Sequence, residues 1–232
     1  MNTAQTLFFE WKSRHEENEV FVEDGIIDPI RWNKINKKIL FLLKEPGDDI
    51  KGHCGEPSMI VLFTKLWNGV RYSFKSLGRW AYGLKNATGE SFPSYDQANK
   101  KINCDEAFLS SAFMNLKKTS SKFEDNSCDE NLLLKYADKY KDEIKRQIEL
   151  INADIVVCCG WSVFGIIEKY FSLSKIDSKL DVYKSKGFKN MIFLRACHPS
   201  SRKWKNNHEQ VRRKATDRYS DLMSEYQAYL AS

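Results

Sequence analysis

Three short apolar runs stop at side chains that can do chemistry. "KILFLL" (38–43) passes through Lys44 into Glu45-Pro46-Gly47, "AFLSSAFMNL" (107–116) carries Asn115 near its end, and "MIFLRAC" (191–197) is followed by His198-Pro199-Ser200. A fourth run, "DIVVCC" (154–159), ends in Gly160-Trp161-Ser162. A carboxylate, an amide and an imidazole are groups that move protons or hold polar ligands. The fourth end supplies a glycine turn. Taken singly, each has an ordinary explanation. A Glu before Pro-Gly is a turn residue, an Asn after a strand caps a neighbouring group, and a His before Pro is structural. The pattern carries weight only if the fold gathers these ends.

The elements that would gather them can be read from periodicity. The first, third and fourth runs in chain order are almost continuously apolar, as strands covered on both faces are. The gaps contain helical patterns. "TAQTLFFEWKSRHEEN" opens the chain with Thr3 or Thr6 as a cap. Residues 59–84 carry aromatic and aliphatic residues at helical spacing, and 129–153 form the clearest helix, acidic at its start. A shorter helix covers 162–171, and "NHEQVRRKATDRYSDLMSEYQAYL" closes the chain as a long amphipathic helix. Helices between parallel strands are the crossovers that such strands need. The reading is one three-layer α/β/α domain over 1–232 with a central four-stranded parallel sheet. Residues 1–37 are a helical extension, 38–205 the core and 206–232 a C-terminal helix. In such sheets ligands bind beyond the carboxyl ends of the strands, where all four chemical ends fall.

Composition is that of an ordinary folded chain: 42% hydrophobic, 29% charged, net charge +6 over 232 residues. No apolar run is long enough to cross a bilayer and no secretory pattern opens the chain, so a cytoplasmic address is expected. The six cysteines (54, 104, 128, 158, 159, 197) include no C-x-x-C pair, which removes ordinary zinc and iron–sulfur spacings. Asp48 and Asp49 are adjacent carboxylates without further spaced ligands, a poor metal site. Arg202, Lys203, Lys205, Arg212, Arg213, Lys214 and Arg218 cluster after His198. By charge alone they read as a solvated helix face.

In order, "LLKEPG", "AFMNLKKT", "DIVVCCGWSVF" and "LRACHPSSR" resemble the motifs of the uracil-DNA glycosylase superfamily, over roughly residues 38 to 205. The resemblance implies that fold and a set of roles. Glu45 falls where the superfamily has its catalytic Asp or Asn, positioning water and stabilising the sugar cation. His198 would donate a hydrogen bond to the departing base, and Asn115 would pair with its Watson–Crick edge. Pro46 and Gly47 would shape the pocket floor, with Phe63 or Trp67 stacking on the base. Ser200, Ser201, Arg202 and Lys203 would hold DNA phosphates, with Arg202 or Trp204 as the wedge in the opened stack. Breaking an N-glycosidic bond develops charge of both signs within a few ångströms, which groups of opposite character stabilise. The target base must also leave the stack.

The sequence departs from that pattern in several places. Gly47 stands where some branches carry a Tyr that closes the pocket against a pyrimidine C5 substituent, so a C5-modified base is allowed. Glu45 is one methylene longer than Asp, and the cysteines of the iron–sulfur branches are missing. The expected activity is monofunctional base excision from DNA: hydrolysis that leaves an abasic site, without lysine-dependent strand cleavage. Its setting would be repair or defence against phage with hypermodified cytosine. DNA is the expected partner of a monomer that needs no cofactor, metal or membrane. The alternative is an inactive nucleic-acid-binding module of the same fold. A nucleotide-binding or hydrolase domain lacks support, since neither a P-loop nor G-x-G-x-x-G follows any strand. His15, His53 and His208 have no partner pattern.

Overall fold

Strands with no polar face must be covered twice, and that requirement organises the chain. The computed structural model describes residues 3–15, 20–46, 58–60, 72–119, 129–201, 203–206, 209–212 and 214–232. Its strands are β1 (Gly25–Ile26), β2 (Ile39–Leu43), β3 (Ala112–Asn115), β4 (Ile155–Cys159), β5 (Leu173–Lys175), β6 (Val182–Ser185) and β7 (Phe188–Ala196), followed by a separate hairpin of β8 (Lys203–Asn206) and β9 (Glu209–Arg212). Its helices are α1 (Ala4–Lys12), α2 (Pro29–Trp32), α3 (Tyr72–Asn86), α4 (Tyr95–Asn99), α5 (Lys101–Leu109), α6 (Glu130–Lys139), α7 (Lys141–Ile151), α8 (Trp161–Phe171) and α9 (Ala215–Ala231).

The main sheet has the order β1-β3-β2-β4-β7-β6-β5. Its centre, β3-β2-β4-β7, is parallel throughout. β1 pairs antiparallel with β3 at one edge, while β6 and β5 continue antiparallel beyond β7 at the other. The expected four-stranded parallel sheet is thus corrected to a mixed sheet of seven strands. The added strands are short and partly exposed, and β5 buries none of its three residues. Hydrophobic patterning gives no sign of such strands.

Period-two alternation sends neighbouring residues of each strand to opposite faces. Leu40, Leu42, Met114, Val156, Cys158 and Phe193 face Trp11 of α1, Leu133 of α6, Ile144 and Ile148 of α7, and Val163 and Ile167 of α8. Ile39, Phe41, Phe113, Val157 and Leu194 face Leu77, Trp80 and Leu84 of α3, Phe108 of α5, and Tyr219, Met223 and Tyr226 of α9. Each fully buried side chain of this size stabilises the fold by about 1.5–3 kcal/mol before entropy is set against it. Among the described residues no helix is long and apolar enough to cross a membrane.

Several boundaries differ from the sequence expectation. Residues 107–109 belong to α5, because Cys104, Ala107 and Phe108 continue a helical apolar stripe. The hydroxyls of Ser110 and Ser111 then donate back to the carbonyls of Glu106 (2.6 Å) and Ala107 (2.7 Å) and end the helix. The helix expected over 129–153 is two helices, broken at Tyr140 (φ −116°, ψ 28°). Tertiary packing sets that break: Tyr140 is buried, its ring stacks on His15, and its hydroxyl donates to the Arg14 carbonyl at 3.0 Å. The C-terminal helix starts at Ala215, not 206, because the alternating stretch before it forms the β8–β9 hairpin with Trp204 opposite Val211. The segment 1–37 is helical only in part and also contributes β1.

Candidate functional site

The connections put a topological switch point where the sequence has its chemical ends. After β2 the next described helices, α3 and α5, pack on one face; after β4 the chain enters α8 on the other. In open α/β sheets such a point, at the carboxyl ends of the two strands, is where ligands bind. Glu45 follows β2 and Gly160 follows β4, so both stand at it.

Glu45 lies two residues beyond Leu43, and Leu43 is in register with Asn115 on β3. The ladder continues past the strands, with Leu116 N–H donating to the Leu43 carbonyl and Lys117 N–H to the Lys44 carbonyl, each at 2.9 Å. It brings the Lys117 ammonium to 2.9 Å from Glu45 Oε2, with the two side chains only 10% and 11% exposed. Pro46, the next residue, is buried. Lys44 turns the other way and bonds Glu130 Oε1 at 3.0 Å, an oxygen that also accepts from the Ser162 hydroxyl. Hydrogen bonds from Ser162 and Lys44 hold the Glu130 carboxyl below its usual range. The ends of β2, α6 and α8 are tied together in this way.

Asn115 is 1% exposed, and among the described residues neither polar atom of its side-chain amide has a hydrogen-bond partner. It follows Phe113 by two residues on the same strand, and Phe74 of α3 packs edge-on to Phe113 at 5.6 Å. Leaving such a group unsatisfied costs about 1–3 kcal/mol per buried polar atom. The remainder of Asn115 is firmly bonded: its backbone N–H donates to Asp24 Oδ2 at 2.7 Å.

His198 stands two residues beyond Ala196, the partner of Cys159 in the β4–β7 ladder. Two strand spacings of about 4.8 Å separate β7 from β2, so the two ends lie about 10 Å apart along the sheet. Gly160 makes the close approach possible. It has φ +113°, its N–H donates to the Ala196 carbonyl at 2.8 Å, and a Cβ built on it would lie 3.9 Å from the His198 Cβ. The Ser200 N–H donates to His198 Nδ1 at 3.3 Å and the Ser200 hydroxyl lies 2.8 Å from the same atom. A backbone N–H can only donate, so Nδ1 is an acceptor and the ring proton sits on Nε2. Burial, then the charges of Lys44 and Arg218, push the imidazole pKa down to about 4. At neutral pH this group is an uncharged donor.

The ends of β3, β2, β4 and β7 thus lie side by side, with Glu45 and Asn115 on adjacent strands and His198 beyond. Ser200 serves the imidazole, and Ser201 bonds inward: its N–H donates to the His198 carbonyl (2.9 Å) and its carbonyl accepts from Arg218 (2.6 Å). Lys203 begins β8. Gly47, Phe63, Trp67 and Arg202 lie outside the described residues. The sequence reading gave no role to Lys117, Lys44, Glu130 or Ser162. Lys117 puts a lysine against Glu45, a neighbour that the sequence reading did not expect. Among the described residues no three His, Cys, Asp or Glu side chains gather closely enough to hold a metal ion. A separate depression of about 380 Å³ lies near the amino ends of β2 and β3, lined by Arg31, Lys34, Tyr82, Lys85 and Glu106 among others. A scan against protein-family models found no match, and a search of curated proteins found no significant relative.

Proposed function

We propose that the protein is a monofunctional DNA glycosylase that hydrolyses the bond between deoxyribose and uracil or a modified pyrimidine, leaving an abasic site. The observation that carries this reading is the Asn115 amide, buried yet without a partner among the described residues, at the carboxyl end of the strand beside Glu45. An amide offers an acceptor and donors side by side, the complement of a pyrimidine edge. A flipped base that reaches the amide would supply partners for both of its polar atoms. The uncharged His198, protonated on Nε2, suits the role of donor to an oxygen on the departing base. Glu45 suits the sugar side, where positive charge develops. The basic residues of the β8–β9 hairpin and its flanks supply sequence-independent attraction to phosphates. The short apolar residue Gly47 in place of a bulky one keeps C5-modified pyrimidines within the substrate class, in repair or in defence against modified phage DNA.

Lys117 bears on the mechanism. An amine that forms an imine needs its lone pair free to attack, and Lys117 points its nitrogen at Glu45 Oε2 at 2.9 Å. Its role here is to fix the carboxylate, so base release proceeds by water and leaves the strand intact. The same ion pair favours one competing reading, a binding module without activity, because Lys117 offsets the charge of Glu45.

One assay separates the two. Duplexes carrying uracil, a thymine mismatch or a C5-modified cytosine are scored for abasic sites. The wild type should release at least one of these bases. Glu45→Ala and His198→Ala should each slow release by about 10²–10⁴-fold while DNA binding persists. Asn115→Asp should change the base profile. Borohydride should trap no protein–DNA adduct. A wild type that binds DNA and releases nothing supports the binding module.

A further inference from the structure

Asn115 is held through its backbone, and one of the two groups that hold it comes from the amino-terminal segment. Its N–H donates to Asp24 Oδ2 at 2.7 Å, and its carbonyl accepts from Lys118 Nζ at 2.8 Å. These two holders are ion-paired with each other at 2.6 Å, and both side chains are fully buried. Gln147 of α7 donates from Nε2 to Asp24 Oδ1 at 2.8 Å. The Lys118 ammonium lies 5.0 Å from the centre of the Trp11 ring and 5.9 Å from that of Phe8. The Val22 N–H donates to the Lys118 carbonyl at 2.8 Å.

A buried ion pair is an inefficient source of stability, because desolvation consumes most of the attraction. What it supplies here is geometry. Two opposite charges bracket one residue at its N–H and at its C=O, and neither can shift without leaving a charge unpaired in the interior. The bracketed residue carries a side-chain amide that is buried and, among the described residues, without a hydrogen-bond partner.

We infer that Asp24, its charge balanced by Lys118, is a positioning residue for the Asn115 amide, so that the amino-terminal segment is a working part of the site that reads a pyrimidine edge. This rests on the reading that the Asn115 side chain meets the ligand. A reading amide must hold its acceptor and donors in register with a planar partner, and small misplacements there are costly.

Two double variants test it. Asp24→Asn/Lys118→Met removes both charges together and keeps an oxygen for the Asn115 N–H. Asp24→Leu/Lys118→Met also removes both charges but offers no acceptor. Hydrogen exchange at the Asn115 N–H, measured on the DNA-free protein, should stay slow in the first and become fast in the second. On duplexes carrying uracil or 5-hydroxymethylcytosine, the first should keep kcat within a few fold of wild type, while the second loses about tenfold or more in kcat at unchanged KM. A purely structural pair would make the two doubles equal in exchange and in kcat, which overturns the inference; so does fast exchange with kcat intact. If the leucine variant does not fold, Asp24→Ser/Lys118→Met, whose hydroxyl is too short to reach, takes its place. Should the wild type release no base, the functional reading fails, while the exchange comparison still decides whether the Asp24 oxygen holds Asn115.

Discussion

At the scale of single residues, the imidazole of His198 makes the sharpest claim about pH. Its folded pKa of about 4 lies below the unfolded value near 6.5. Above pH 6.5 both states are neutral there, and this group leaves stability level. As pH falls from 6.5 toward 4 the unfolded chain binds the proton first, so the contribution of His198 to stability is progressively lost. A proton–nitrogen NMR titration should give an Nε2–H tautomer at pH 7 and a midpoint near 4. Base release should show no His198 inflection between pH 6 and 7; an inflection there would mean that the ring is solvated. Glu45, Asn115 and His198 were legible because a chemical residue at the end of an apolar run is conspicuous. Lys117 and Lys118 were not, since "LKKT" reads as solvated surface. Their burial follows from carboxylates at positions 45 and 24, and sequence alone does not bring those three segments together.

At the scale of elements, the turn from β4 into α8 shapes the site most directly. Gly160 begins α8 without any side-chain cap, at φ +113° and ψ 155°. That backbone conformation is nearly confined to glycine. There is room for a methyl group, with His198 Cβ at 3.9 Å, so Gly160→Ala tests the backbone and not a clash. Thermal or urea unfolding should register a loss of about 1–3 kcal/mol. Relaxation of the strained turn should also move the imidazole resonances of His198; an unchanged spectrum would show that the turn does not set the ring. The parallel core strands were readable from continuous apolar runs, whereas the edge strands were not. Three residues such as Leu173–Lys175 carry too little pattern to separate from a loop. The break at Tyr140 was hidden for another reason: the apolar period runs through it, and only the docking of α1 and His15 demands the change of direction.

At the scale of the whole molecule, α1 and the segment after it form part of the core. Leu7, Phe8 and Trp11 are buried against the first face of the sheet, with Trp11 0% exposed. Trp11→Ala should cost about 3–5 kcal/mol in chemical denaturation. Trp11 and Phe8 both face Lys118, and the indole is the larger ring and the nearer (5.0 against 5.9 Å), so the loss should exceed that of Phe8→Ala; equal losses would mean that the indole adds nothing over the smaller ring. The bracket around Asn115 also has a consequence for synthesis. Asp24 reaches a lysine 94 positions later and a glutamine 123 positions later. At ribosomal rates, roughly ten seconds pass between translation of that carboxylate and of its last partner. During that interval the nascent chain carries an acid with nowhere to settle, and the opening helix cannot dock for good until most of the sheet has emerged.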